Sequence, residues 1–188
     1  NQQPHFVYLA YFAPGVIKVG ISQEKRGIRR LLEQGARLAL KLEAFASALI
    51  ARQYEAKIAK LDGIMETVAA SKKLELIKHP LDTAAAEKTL ADALVRIHHQ
   101  LGLDFPNREF ITCEDYFHTD GRDLSSVIDM TGNSTMAGTV VSTIGPILIT
   151  DYDGQLLAYN VKKFIGYQAH KITRDIELQL PSEQLALF

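Results

Sequence analysis

Short apolar runs separated by turn residues pattern the first half of the chain. Phe6-Val7-Tyr8-Leu9-Ala10-Tyr11 is aromatic and β-branched, which predicts a strand. Ala13-Pro14-Gly15 predicts a turn, with Pro at the position that fixes φ and Gly where φ turns positive. Val16–Ile21 predicts a second strand, near enough to pair with the first as a hairpin. Over residues 24–34, Ile28, Leu31 and Leu32 share one helical face and Arg26, Arg29 and Arg30 another, with Gly35 as the stop. Leu40, Leu42 and Ala44 alternate with Lys41 and Glu43, so 40–45 reads as a third strand. Ser47 is a natural cap for a helix running to about Leu61, with Ile50, Tyr54, Ile58 and Leu61 as the expected buried stripe.

The pattern weakens over residues 64–78, which read as a helix broken by Pro80. It returns in a helix over Asp82–Leu101, where Leu90, Leu94, Ile97 and Leu101 mark one face and Gly102 the stop. After Pro106 the texture changes. Residues 109–117 and 138–142 read as extended. Strands are predicted over 146–151, 155–161 and 165–172, with Asp153-Gly154 as a hairpin turn. The expected class is α+β, a small antiparallel sheet with flanking helices, a helical middle and a small C-terminal antiparallel β unit. The expected division is 1–64, 65–104, 105–178 and a tail at 179–188.

Composition narrows this reading. At 188 residues, with 47% hydrophobic and 23% charged residues, the chain can bury a core and is not a disordered sequence. A single cysteine, Cys113, excludes a disulfide framework or a cysteine zinc site within the chain; it reads as a small core residue in a strand. A reducing, cytoplasmic location is expected, and the apolar runs are too short to span a membrane. The start, Asn1-Gln2-Gln3-Pro4, is polar and lacks Met, so an upstream segment is expected. Residues 1–60 hold ten Lys/Arg against four Glu, a net of +6 in a chain of net −1. That asymmetry points toward a phosphate-bearing partner. The six histidines include no i, i+4 pair, and neither a phosphate-binding glycine loop nor Gly-x-Ser-x-Gly is present.

One constellation carries chemistry. Val7-Tyr8-Leu9 and Lys18-Val19-Gly20 lie on the predicted hairpin, the arginine-bearing helix follows, and then a helix bearing Glu55. This order resembles the GIY-YIG endonuclease superfamily in a degenerate, KIG-type form. The resemblance implies residue roles. Tyr8 would match the tyrosine acting as or near the general base, and Lys18 stands where that family has its second tyrosine. Gly20 would match the glycine where a side chain would block the substrate backbone. Arg30, with Arg29 as alternative, would grip the scissile phosphate, and Glu55 would hold a divalent cation, Mg²⁺ or Mn²⁺. Arg26, Arg29, Arg30 and Gly20 would face nucleic acid. Phosphodiester hydrolysis requires such types: a base, a positive charge for the developing anion and a hard oxygen ligand.

A wider resemblance links Gln3–Ala10, Lys18–Ser22, Glu33–Ala36 and the stretch from Gly138 to Tyr167 to an uncharacterised bacterial family. In that family an upstream cysteine-rich segment, expected to bind zinc, precedes the Gln-Pro-His equivalent. The last five residues, Gln184-Leu185-Ala186-Leu187-Phe188, resemble the peptide by which bacterial polymerases and repair proteins dock on the sliding clamp. Gln184, Leu185, Leu187 and Phe188 would make that contact. The expectations are therefore Tyr8, Lys18, Arg30 and Glu55 gathered in one cleft, DNA and the clamp as partners, and a role in replication or repair. That role is either metal-dependent cleavage or nucleic-acid binding without it.

Overall fold

The computed structural model describes residues 2–119, 121–168, 170, 171, 178 and 180. Its first sheet has the order β4-β2-β1-β3-β5 and is built from β1 (His5–Ala13), β2 (Val16–Gln23), β3 (Leu38–Phe45), β4 (Ile64–Met65) and β5 (Glu109–Thr112). All pairs are antiparallel except β2 with β4, which are parallel. The second sheet has the order β6-β9-β8-β7, from β6 (Ile128–Asp129), β7 (Thr139–Ile144), β8 (Ile147–Tyr152) and β9 (Gln155–Asn160). Among the described residues four helices complete the α+β fold: α1 (Arg29–Gln34), α2 (Ala48–Ile58), α3 (Ala70–Ile77) and α4 (Thr83–Leu101).

β1 is central and all nine of its residues are buried. Val7, Leu9 and Tyr11 face a core shared with Val19, Leu38, Leu40 and Leu42. Helices α2, through Ala51 and Ile58, and α4, through Ala86, Leu90, Ala93 and Ile97, cover that face. Phe6, Tyr8, Ala10 and Phe12 face the other way, toward Leu31 of α1, Leu74 and Ile77 of α3, and Ile147, Ile149 and Ala158 of the second sheet. A strand buried on both faces reads as a continuous apolar run, as this one does.

The capping residues act as their sequence suggests. The Ile50 N–H donates to Ser47 Oγ at 3.4 Å, and the Ala85 N–H donates to Asp82 Oδ1 at 3.0 Å. Gly35 and Gly102 end α1 and α4 in the left-handed conformation. Other expectations are corrected. The helix over 24–34 is two pieces, a 3-10 turn at Glu24–Arg26 and then α1, because the backbone swings out of helical space at Gly27. Leu49 and Ile50 are exposed, and the inward stripe of α2 runs through Ala51, Tyr54 and Ile58 instead. Residues 64–65 are a strand beside Ile17 and Lys18, and only 70–77 of the weak segment is helical. Residues 109–117 are extended only to Thr112, and a 3-10 turn follows at Glu114–Phe117. β9 ends at Asn160, whose side chain accepts from the Lys162 N–H and starts a 3-10 turn, so residues 165–168 form no strand. The two-residue strand β6, parallel to β9, has no counterpart in the sequence reading.

Two features lock the layers. Arg37, 7% exposed, donates from Nε to Glu114 Oε2 at 2.8 Å and also binds Glu114 Oε1 and the His79 carbonyl. Its backbone N–H donates to the Tyr11 carbonyl, and its own carbonyl accepts from Cys113. The second lock is a backbone contact between Gly35 and Gly145, the turn of the β7–β8 hairpin. A Cβ on Gly145 would lie 2.6 Å from Gly35 N and 2.7 Å from Gln34 C, and φ at Gly145 is +59°. The Gly145→Ala variant should therefore lose about 2–4 kcal/mol, the left-handed backbone costing about 1–2 and the clash the rest. Thermal unfolding should show a melting temperature lower by about 5–15 °C; an unchanged midpoint would mean the contact carries no constraint.

Candidate functional site

The β1–β2 register sets Tyr8 opposite Gly20 and Ala10 opposite Lys18. Lys18 and Gly20, two residues apart, project to the same face as Tyr8. A Cβ on Gly20 would lie 2.5 Å from Tyr8 Oη, 2.6 Å from Tyr8 Cζ and 3.1 Å from Lys18 Nζ. The missing side chain is thus what lets the tyrosine ring lie across β2 with the lysine beside it. β4 pairs with β2 only at Ile17 and Lys18, so beyond Lys18 this edge has no strand partner among the described residues.

Helix α1 supplies the partners of the buried phenol. Gln34 Nε2 donates to Tyr8 Oη, and the Arg30 guanidinium acts on the same oxygen through its charge and a hydrogen bond. Burial is the largest effect on Tyr8 and raises its pKa, with Gln34 and Arg30 working against it. Tyr8 is therefore a neutral phenol at physiological pH. Arg30 also lies 3.7 Å from Glu33 Oε2, but Arg26 holds that carboxylate more closely, at 2.6 Å. Arg29 is exposed at the start of α1.

Lys18 is buried, its Nζ 3.3 Å from the Val19 carbonyl and 5.8 Å from the Tyr8 ring centroid. Burial lowers its pKa, and the Glu55 carboxylate partly restores it. Glu55 comes from α2, whose core residues pack on the face opposite Tyr8. The expected single cleft thus becomes a site assembled from two faces. Burial raises the Glu55 pKa; Lys18 is the strongest charge opposing that, and Arg30 also lowers it. The same carboxylate acts on Tyr8. Tyr8, Lys18, Arg30 and Glu55 are therefore within electrostatic reach of one another. Gln184, Leu185, Leu187 and Phe188 lie outside the described residues. Cys113 is fully buried just past β5, and burial pushes its thiol up to about 12, which makes it an inert core residue.

Three neighbours of this site were not singled out from the sequence. Gln34 directly precedes the helix-ending Gly35. Glu66, just past β4, raises Glu55 and supports the charge on Lys18. Lys73 is 8% exposed, on the inward stripe of α3 with Leu74 and Ile77, its Nζ 5.3 Å from the Phe12 ring centroid. A lysine at helical spacing with those two residues was the available signal. Among the described residues no group of three or more His, Cys, Asp or Glu could hold a metal by itself. Glu55, with Glu66 close by, suits a hard cation that takes its remaining ligands from water and phosphate. A separate concavity of about 1480 Å³, lined by residues such as Gly138, Asp151 and Lys163, contains none of these groups.

An α+β protein with a buried tyrosine on the central strand of its first sheet, with arginine, lysine and glutamate near it, is the class that fold and site define. The chain belongs to the family described as Protein of unknown function (DUF2797), whose model matches residues 1–169 and so spans both sheets. No curated protein and no solved structure gives a significant match to it. No helix among the described residues is long and apolar enough to cross a membrane.

Burial, with Lys162, Lys18 and Arg30 adding to it, lowers the Lys73 pKa to about 8. The unfolded chain holds that proton up to about 10.5, so Lys73 costs the fold stability at neutral pH, and the cost fades as pH rises from 8 toward 10.5. Lys73→Met should stabilise the protein at pH 7 by on the order of 1–2 kcal/mol, allowing for solvent at the ammonium. Denaturant unfolding of both proteins between pH 7 and 10 should show that gain shrinking with pH; a constant difference would mean Lys73 is not perturbed.

Proposed function

We propose that this protein acts on the phosphodiester backbone of DNA, through a GIY-YIG-like endonuclease centre formed by Tyr8, Lys18, Arg30 and Glu55. The observation that carries the proposal is the gap at Gly20. The buried Tyr8 hydroxyl occupies it, with Arg30 acting on that oxygen, Lys18 beside the ring and the Glu55 carboxylate in reach. Arg30 would bind a non-bridging phosphate oxygen and stabilise the charge that develops there. Tyr8, neutral and held by Gln34, would orient a water or a phosphate oxygen through its hydroxyl. Lys18, its proton loosened by burial, would take part in proton transfer or meet the leaving oxygen. Glu55 would hold the Mg²⁺ or Mn²⁺, which when bound supplies charge neutralisation at the scissile phosphate. The net charge of +6 over residues 1–60 supports approach to a polyanion.

The second reading keeps DNA binding and drops cleavage. Lys18 in place of a tyrosine, and the lack of a self-sufficient metal cluster among the described residues, favour it. In either form we propose that the C-terminal Gln184–Phe188 docks on a bacterial sliding clamp, with Leu187 and Phe188 as adjacent apolar anchors. That placement belongs to replication or repair.

The deciding experiment assays branched, nicked and single-stranded DNA with Mg²⁺, Mn²⁺ or chelator, alongside binding under the same conditions. Cleavage that needs metal, vanishes in Glu55→Ala with folding intact, and falls on the order of 10²-fold or more in Arg30→Ala is the expected result. Binding without cleavage selects the second reading, and neither binding nor cleavage contradicts both. In a parallel arm, deletion of the last five residues should abolish binding to a purified clamp; equal binding, or none in either case, removes the docking role.

A further inference from the structure

Among the described residues, the charges that act on Lys73 are all positive. Its ammonium makes no hydrogen bond and no ion pair with any described residue, although the side chain is buried. The charges that bear on it are those of Lys162, Lys18 and Arg30, and no carboxylate is among them. Each of these cations comes from a different element. Lys73 lies on α3, Lys18 on β2, Arg30 on α1, and Lys162 in the 3-10 turn that follows β9 of the second sheet. Helix α3 packs against β1 and also reaches β8 and β9, which brings the two sheets' cations together.

The floor between them is small and aromatic. Tyr8, Ala10 and Phe12 follow one another on one face of β1, and Lys18 is paired opposite Ala10. Lys18 Nζ stands 5.8 Å from the Tyr8 ring centroid and Lys73 Nζ 5.3 Å from the Phe12 ring centroid. The two ammonium groups thus flank a methyl-sized floor residue. The Lys73 stem is buried while its ammonium, unpaired by any described residue, keeps access to solvent, so cations gathered around it repel one another and an anion arriving there would relieve that repulsion. Glu55 and Glu66 act on Lys18, whereas no described carboxylate acts on Lys73, so the uncompensated charge is concentrated at Lys73.

We infer that Lys73, with Lys18, Arg30 and Lys162, forms a second phosphate seat that holds a backbone phosphate neighbouring the one at Tyr8 and Arg30. This rests on the proposed DNA reading, and it gives the second sheet a part in the site through Lys162. Lys73 and Lys162 lie outside the hairpin, arginine helix and glutamate helix that carry the endonuclease resemblance.

The test measures binding of a short DNA duplex to the full chain by fluorescence anisotropy, between about 50 and 200 mM salt. Four variants are compared with wild type: Lys73→Met, which keeps an apolar stem against Phe12, Lys162→Gln, Arg30→Gln and Lys88→Gln. Lys88 is exposed on α4 and paired with Asp92. Loss of one phosphate contact should lower the slope of log affinity against log salt by about 0.9. Lys73→Met and Lys162→Gln should each show that loss with affinity about 3–10-fold weaker, while Lys88→Gln matches wild type. If Arg30→Gln loses slope and Lys73→Met does not, the second seat is overturned while the DNA reading stands. If wild type binds no duplex, the DNA reading fails and inorganic phosphate decides the seat. A rise in melting temperature over chloride at equal ionic strength, absent in Lys73→Met, supports a phosphate seat for another ligand; no rise overturns it.

Discussion

The backbone of Gly145 rests against the backbone of Gly35, and the arrangement of the site depends on that contact. Helix α1 has six residues, too few to hold its own shape in water. Its end is fixed from outside, where the β7–β8 hairpin turn meets Gly35 with no side chain between them. Gln34 immediately precedes Gly35, and Arg30 lies one helical turn earlier. Both reach Tyr8 because the second sheet sets where α1 stops. The core agrees, since Leu31 and Ala36 share one apolar cluster with Ile144, Ile147 and Ile149. The second sheet therefore braces the site as well as contributing Lys162 beside it.

Charge is the other organising quantity. Buried cations oppose folding unless they are paired. Arg37 is fully paired, with Glu114 and the His79 carbonyl, and acts as a structural tie. Lys18 is partly compensated by Glu55, and Lys73 by nothing among the described residues. Along this series the stabilising role falls and the capacity to receive an anion rises. Natural proteins retain destabilising groups mainly where function needs them. The proposed phosphate seat follows from that contrast between three buried basic side chains of one fold.

Much of the fold was legible because its main elements carry strong local signals. β1, β2 and β3 showed as apolar or alternating runs, and α4 showed a helical stripe with Asp82 and Gly102 at its ends. The hairpin was legible too, but the resemblance assigned the missing side chain at Gly20 to the substrate, whereas the atoms a Cβ there would meet belong to Tyr8 and Lys18. What escaped was short or non-local. β4 and β6 have two residues each, below the length at which any period can be seen. Gly27 interrupts the helix whose apolar spacing Ile28, Leu31 and Leu32 continue, and Ile50 yields its core position to Ala51 through the phase of α2. Lys73 and Glu66 belong to the site only through tertiary packing, in the stretch where the sequence pattern was weakest. That the second sheet presses on Gly35 could not be read from either segment alone.

The central claim is that Lys18, Arg30 and Lys73 receive the phosphates of one DNA backbone. Its most direct test follows the side-chain nitrogens of lysine and arginine by NMR while a short duplex is titrated into the full chain. The account predicts that Lys18, Arg30 and Lys73 shift together along one binding curve, with Lys88 and Arg96 of α4 unmoved. Shifts confined to α4, or saturation with Lys18, Arg30 and Lys73 all unmoved, would contradict it.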